Sequence, residues 1–464
     1  MNELAQNIRR IALVAVCSFL LMALVFGYWQ VVRAPALRAH PHNQQAQQRA
    51  KSIKPGLVYT GDGELIIGVE KDDEGWQHTY PAGPVYCHLT GYNKNTGLQK
   101  GLREALLGIG AYQDRWGAVG YTEQGLDVVL TIDSKAQRRA TKLMEGRRGA
   151  VVALDPTDGA ILVMVSAPGY NPVRVMESQM NYEMFTNHPA SPELNRALQG
   201  LYPPGTILQV FVAATGLETG VATDQTVFNC SGTAQIAGIT VNCSKPGGHG
   251  RLTLSRALAD SCNIAFAELA QLIGPERLLN YAKKFHLLEE SDLPLPTAQG
   301  KLADLIGDDA ETELVEAALG QGATLVTPIA MARLAATIAS GGRVIKPYLV
   351  DRITRQGGET VTDYRGGQLG AAISQETAQQ VAGMMRVSVE QGSASSVRLS
   401  DCRVAAKTGS AQNPEGNPHS WALGFAPVEA PQAVVTVIVE NNLAGRPAAG
   451  PIARQILEVL LSCQ

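Results

Sequence analysis

Charge of one sign is what this 464-residue sequence conspicuously lacks: 39 Lys and Arg stand against 42 Asp and Glu, a formal net charge of -3. Phosphate backbones are bound by clustered Lys and Arg, so nucleic acid is excluded as an expected partner. A second apolar stretch long enough to cross a bilayer is also missing, which excludes a polytopic membrane protein. No internal repeat, low-complexity tract, metal-ligand cluster or cofactor fingerprint is apparent, and the eight His residues are scattered. No metal and no cofactor are therefore expected. Cysteine is sparse, at seven residues, and aromatics make up 5% of the chain.

What is present is an ordinary globular composition, 45% hydrophobic and 17% charged, on a chain longer than one compact core usually supports. The single membrane-length run is 11–32, IALVAVCSFLLMALVFGYWQVV, without a charge. Tyr28 and Trp29 near its distal end suit a membrane interface, and Arg9 with Arg10 before it favour a cytoplasmic N-terminus, although Arg33 and Arg38 follow. Ala34-Pro35-Ala36 loosely imitates a signal cleavage site, but the run exceeds a typical signal core, so retention as an anchor is expected. The organisation that follows is a cytoplasmic tail (1–10), a transmembrane anchor (11–32), a stalk with a small membrane-proximal module (33–124) and a larger domain (125–464).

Within the larger part, Val128–Asp133 reads as a strand and Ser134–Met144 as a helix. Two apolar runs, 149–154 and 160–165, flank Asp155-Pro156-Thr157-Asp158-Gly159 and predict a hairpin. Helical stretches are expected over 252–285 and 313–340, and strands at 402–406, 420–426 and 433–440. Strands at both ends with helices between predict an α/β domain whose sheet is assembled from distant segments. Cys230 and Cys243 flank a Gly-rich, turn-like segment and either form a local disulfide or are two buried thiols.

Three motifs in order carry a resemblance. Lys407-Thr408-Gly409-Ser410-Ala411-Gln412 follows a β-like run and precedes His419-Ser420-Trp421-Ala422-Leu423-Gly424. Upstream lies Ser261-Cys262-Asn263 with His249-Gly250 before it, and further upstream Asn195-Arg196-Ala197 and Tyr202-Pro203-Pro204-Gly205. This order resembles the class B penicillin-binding proteins, whose transpeptidase domain carries S-x-x-K, S-x-N and K-T-G. The resemblance runs from about Gly125 to Ala453, through Gly320-Gln321-Gly322, Thr327-Pro328 and Gln391-Gly392-Ser393-Ala394. It implies a penicillin-binding/β-lactamase-like fold, a mainly antiparallel sheet flanked by helices, after one transmembrane helix and a small module. The S-x-N segment is expected to be embedded in a helix.

The departure lies in the first motif: Thr206-Ile207-Leu208-Gln209 stands where the family has Ser and Lys, and no lysine in the chain has a serine three positions before it. A hydroxyl attacks an acyl carbon only when a base removes its proton, and an amide holds no proton near neutral pH. Thr206 at the nucleophile position and Gln209 at the base position therefore predict impaired catalysis. Ser261, Asn263 and Lys407 remain as catalytic-type groups, with Lys407, Thr408 and Gly409 able to bind substrate. The expected function is a binding or scaffolding factor of bacterial peptidoglycan synthesis. Two alternatives are an active D,D-transpeptidase working through Thr206, with Lys407 and Ser261 relaying a proton, and a wall or β-lactam sensor. The resemblance implies a single-pass protein of the bacterial cell membrane with its body outside. Its implied partners are the peptidoglycan stem peptide, β-lactams held weakly or noncovalently, and a polytopic membrane glycan polymerase.

Overall fold

The computed structural model describes residues 2–33, 53–73, 75–109, 124–413, 416–442 and 448–461. Most of the expected stalk, including Ala34-Pro35-Ala36, lies outside the described residues. Helix α1, Asn2–Tyr28, contains an apolar stretch, Gln6–Tyr28, long enough to cross a membrane by length and composition.

The centre of the larger part is a five-stranded antiparallel sheet of β1 (Gly149–Leu154), β2 (Ile161–Ala167), β3 (Ala405–Ala411), β4 (His419–Ala426) and β5 (Ala433–Val439). Its order is β3-β4-β5-β1-β2, so the ends of the domain meet at the β5–β1 ladder, where Val437 faces Val151. The apolar runs in β1 and β5 are nearly continuous because both faces are covered. Ala150, Val152 and Leu154 enter one hydrophobic cluster, while Val151 and Ala153 enter another. The second cluster is closed by the helix Ser134–Leu143 and by the C-terminal helix Ala449–Leu461, through Ala136, Ala140, Ile452 and Ile456. Each fully buried Val or Ile here contributes about 1.5–3 kcal/mol relative to exposure.

A six-stranded sheet joins Val58–Tyr59, Leu65–Asp72 and Gly75–Thr79 to Asp127–Leu130, Val350–Thr354 and Thr360–Asp363. Val58 pairs in parallel with Val128, and Val128 pairs with Ile353. The boundary expected near residue 125 therefore falls between strands of one sheet.

Between the sheet-forming ends lie α2 (Gln209–Glu218), α3 (Leu254–Asp260), α4 (Asn263–Ile273), α5 (Pro328–Ala339) and α6 (Gln375–Gln391). The helix expected over 252–285 is divided into three, because the chain turns left-handed at Ser261 (φ 57°) and again at Gly274 (φ 80°), with Pro275 opening Pro275–Lys284. Ser261-Cys262-Asn263 is thus the turn between α3 and α4, not part of a helix interior. Likewise the stretch 313–340 is two helices, Ala310–Ala318 and α5, with Thr327 capping α5 through its hydroxyl.

Candidate active site

The site is a groove between β3, the start of α2 and the α3–α4 turn. Lys407, Thr408 and Gly409 lie inside β3, which begins three residues later than the strand expected over 402–406 and runs on through the motif, and they pair with Leu423, Ala422 and Trp421 of β4. Side chains alternate along a strand, so Lys407 and Gly409 share one face and Thr408 takes the other.

The start of α2 is pinned against β3. Gly205 adopts φ 57° and donates its N–H to Gly320 O at 2.8 Å, and a Cβ there would stand 2.4 Å from Ser410 O. Only glycine fits so close an approach without displacement. Trp421 Nε1 donates to Pro203 O at 3.1 Å. Tyr202 OH donates to Glu440 Oε1 at 2.7 Å, the oxygen that also pairs with Arg196 Nε at 2.7 Å. Arg148 holds the other oxygen of Glu440 at 2.9 Å. Chiefly through the hydrogen bond from Tyr202 and the charge of Arg196, Glu440 stays below the ordinary carboxylate range despite its burial.

These supports bring the residues expected from the sequence together. Lys407 is fully buried, and its Nζ donates to Ser261 Oγ and, at 2.7 Å, to Thr408 O. Burial without a carboxylate partner lowers its pKa to about 7. Gln209 is also fully buried; its Nε2 reaches Asn263 Oδ1 at 3.5 Å, while its Oε1 has no partner among the described residues. Asn263 Nδ2 donates to Asn242 O at 2.9 Å. Thr206 is half-buried at the groove floor, where a Cβ on Gly409 would stand 2.6 Å from its Oγ1. The groove encloses about 770 Å³ and is lined by Thr206, Ser261, Asn263, Thr408 and Gly409.

One further groove residue was not singled out from the sequence: Ser393, whose Oγ lies 3.1 Å from Ser261 Oγ and whose carbonyl accepts from Thr408 Oγ1 at 2.9 Å. Its backbone N–H donates to Ala259 O at 2.9 Å, which ties the loop after α6 to α3. The only signal for it was the small-residue run Gln391-Gly392-Ser393-Ala394.

Cys230 and Cys243 do not line this groove, and neither forms a disulfide; both are free thiols. Their sulfurs instead approach one imidazole nitrogen, His249 Nδ1, at 3.6 and 3.2 Å. The absence of a metal-ligand cluster inferred from the sequence is corrected too: Cys262 joins these three, and all four ligand atoms lie within 4.8 Å of one another. The spacing Cys-x12-Cys-x5-His-x12-Cys was available in the sequence, but Cys262 was hidden as the middle residue of another motif.

A buried lysine on a sheet strand touching a Ser-x-Asn turn, across from the start of a buried helix, defines a penicillin-binding transpeptidase type of protein. The chain belongs to that family, for residues 149–458 match the penicillin binding protein transpeptidase domain. It is 30% identical, over 98% of its length and 99% of the relative's, to the peptidoglycan D,D-transpeptidase PbpA of Mycobacterium tuberculosis. It is also 30% identical to the peptidoglycan D,D-transpeptidase MrdA of Escherichia coli, over 73% of this chain and 58% of that protein. A solved D,D-transpeptidase domain from Eggerthella lenta superposes with a TM-score of 0.80 at 31% identity, covering 89% of this chain and 99% of that one. The ceftriaxone acyl-enzyme complex of M. tuberculosis penicillin-binding protein A matches with a TM-score of 0.80 at 28% identity and the same coverages. These relatives place the chain in peptidoglycan synthesis and bear out the expected fold.

Proposed function

We propose that this chain is a membrane-anchored, catalytically impaired member of the family that supports peptidoglycan synthesis by binding stem peptide in its groove. The observation that carries this reading is the pairing of Gln209 with Asn263. The side chain at the base position is an amide, whose Nε2 donates to Asn263 Oδ1 and whose oxygen holds no proton near neutral pH, and Thr206 Oγ1 has no hydrogen-bonded base among the described residues. Loss of a general base costs about 10² to 10⁴ in rate. The added methyl of Thr restricts χ1 and crowds the attack path.

The binding groups are independent of that loss. Lys407 and the Thr408 hydroxyl suit a carboxylate or carbonyl, so ligand recognition persists where acyl transfer does not. β-Lactams are bound weakly and without a covalent bond. By its apolar helix the chain is anchored once in the bacterial cell membrane, with the N-terminus cytoplasmic and the body outside, where a polytopic glycan polymerase is its partner.

A second reading, a transpeptidase acting through Thr206, is favoured by one observation: Lys407, with a pKa lowered to about 7 and in contact with Ser261, is partly neutral at physiological pH. One experiment separates the two. Full-length chain in detergent is incubated with fluorescent penicillin beside an active relative, and binding of a synthetic stem peptide is measured by calorimetry. The binding reading expects no covalent band and a peptide affinity that falls in Lys407→Ala. A covalent band that disappears in Thr206→Ala would establish the second reading instead.

A further inference from the structure

The geometry points to Ser393 as a positioning residue of this groove: by accepting the Ser261 hydroxyl proton it leaves Ser261 as an acceptor for Lys407, and so keeps a charged lysine, not a neutral amine, beside the ligand. Ser393 belongs to none of the three motifs and stands on the exposed lip of the groove, in the loop after α6. Its effect on Lys407 is independent of any ligand, whereas its effect on recognition rests on the stem-peptide reading above.

All three polar groups of Ser393 are engaged within the protein. Its N–H donates to Ala259 O at 2.9 Å and its hydroxyl to the same oxygen at 3.1 Å, while its carbonyl accepts from Thr408 Oγ1 at 2.9 Å. This approach of the loop to α3 depends on Gly392, where a Cβ would stand 2.3 Å from Ala259 O. Ser393 Oγ also lies 3.1 Å from Ser261 Oγ. A carbonyl oxygen only accepts, so the Ser393 proton goes to Ala259 and a lone pair is left for the proton of Ser261. Among the described residues, the Ser261 hydroxyl has Ser393 and Lys407 as its partners. The protons therefore run in one direction, from Lys407 to Ser261 to Ser393 to Ala259.

That direction distinguishes the two states of Lys407. An ammonium only donates, so while Lys407 is charged Ser261 must accept from it and send its own proton to Ser393. A neutral amine has a lone pair, and Ser261 can then turn its proton to Nζ instead. Ser393 is thus required by the charged state and dispensable to the neutral one, which makes it a support of the charge against desolvation. No carboxylate does this work, since burial is the sole cause that lowers Lys407 to about 7. Of the titratable groups on the groove wall, Asp260 at the end of α3 pairs with Arg256 at 2.6 Å, Glu316 stands on the helix Ala310–Ala318, and His419 lies on β4. On α6, which packs against β3, Glu376 is exposed and Arg386 pairs with Glu390 at 3.3 Å.

With Lys407 poised near neutrality, a small change in this balance decides whether the groove presents a cation. A ligand carboxylate is held by a charge-assisted bond to an ammonium and more weakly by an amine. Ser393 therefore acts on ligand binding through Ser261 and Lys407, and the loop after α6 joins the site by way of its hydroxyl.

The test follows the titration of Lys407 in full-length chain in detergent, labelled with carbon-13 at the lysine Cε; its signal is the one missing from Lys407→Met. Ser393→Ala leaves the Ser261 proton of the charged state to mobile solvent, and should lower the titration midpoint by about half to one pH unit, the net worth of one hydrogen bond. Ser393→Thr keeps the hydroxyl and should restore the midpoint. By calorimetry, the affinity of Ser393→Ala for a synthetic stem peptide should fall about three- to tenfold at about pH 8 and little at about pH 5.5. A merely structural loosening would weaken binding equally at both. An unchanged or raised midpoint in folded Ser393→Ala would overturn the proposal, as would a lowered midpoint that Ser393→Thr does not restore. If Ser393→Ala does not fold, Ser393→Cys, whose thiol is a weak acceptor, takes its place with the same expectations. An unaltered chain that binds no peptide refutes the stem-peptide reading, and the lysine titration still decides the role of Ser393.

Discussion

Restoring the first motif is the sharpest perturbation of this site. The double substitution Thr206→Ser with Gln209→Lys should recover penicillin acylation in a groove where Lys407 already touches Ser261 and position 209 already touches Asn263. The magnitude follows from the base: about 10² to 10⁴ in rate, or about 2.7 to 5.4 kcal/mol at 1.36 kcal/mol per decade. The structure favours the active form of the new amine. Position 209 is fully buried, and Lys407 close by is already lowered to about 7 by burial alone. Burial disfavours the charged form of an amine at position 209 as well, which favours the neutral form able to accept a proton. Gln209→Lys alone should recover much less than the double substitution but more than Thr206→Ser alone, because it supplies a base to a hydroxyl already present. Thr206→Ser alone removes only a methyl and should recover much less, since nucleophile and base act as a unit. The assay is the rate of labelling by fluorescent penicillin on full-length chain, with the thermal midpoint as a check on folding. Equal labelling of Thr206→Ser and the double variant would refute the reasoning, because Lys407 would then already serve as the base. A folded double variant that stays unlabelled would show instead that the groove itself does not admit the ligand.

Other expectations concern the supports. The pKa of Lys407 falls from 10.5 to about 7 on folding, so the unfolded chain binds a proton that the folded chain does not across that window. Stability from this group is complete above about 10.5 and is lost as pH falls toward 7, by up to about 5 kcal/mol at 1.36 kcal/mol per pH unit. Urea midpoints should therefore rise with pH between 7 and 10 more steeply in the unaltered chain than in Lys407→Met; parallel curves would refute it. Gly205→Ala combines a left-handed φ with a 2.4 Å approach to Ser410 O and should lower stability by about 1–3 kcal/mol, with loss of stem-peptide binding. An unchanged thermal midpoint and affinity would count against the close fit of α2 to β3. Glu440→Ala leaves the 1%-exposed Arg196 without its carboxylate and should cost about 3–5 kcal/mol by denaturant titration. Glu440→Gln, which keeps an acceptor for Tyr202, should cost less.

The apolar runs of β1, β4 and β5 were legible because a sheet covered on both faces leaves a continuous hydrophobic signature, and local turn chemistry marked the β1–β2 hairpin. The K-T-G and S-x-N segments and the altered Thr206 and Gln209 were legible as well, since motif order survives in one dimension. The sequence by itself thus determined the fold family, the membrane-length helix and the missing Ser-x-x-Lys. It did not determine where α3 ends, because the left-handed turn at Ser261 is imposed by packing against Lys407 and Ser393 across the chain, not by a glycine at that position. Nor did it determine the lowered pKa of Lys407, which follows from burial without a counter-charge. The partners of Cys230 and Cys243 were likewise decided only in three dimensions. The pair was separated by a turn-like segment that suited a disulfide equally well, until strand pairing and the α3–α4 turn delivered His249 and Cys262 to the same point. Contacts between residues distant in the chain depend on how whole elements pack, and packing leaves no local signature in the sequence.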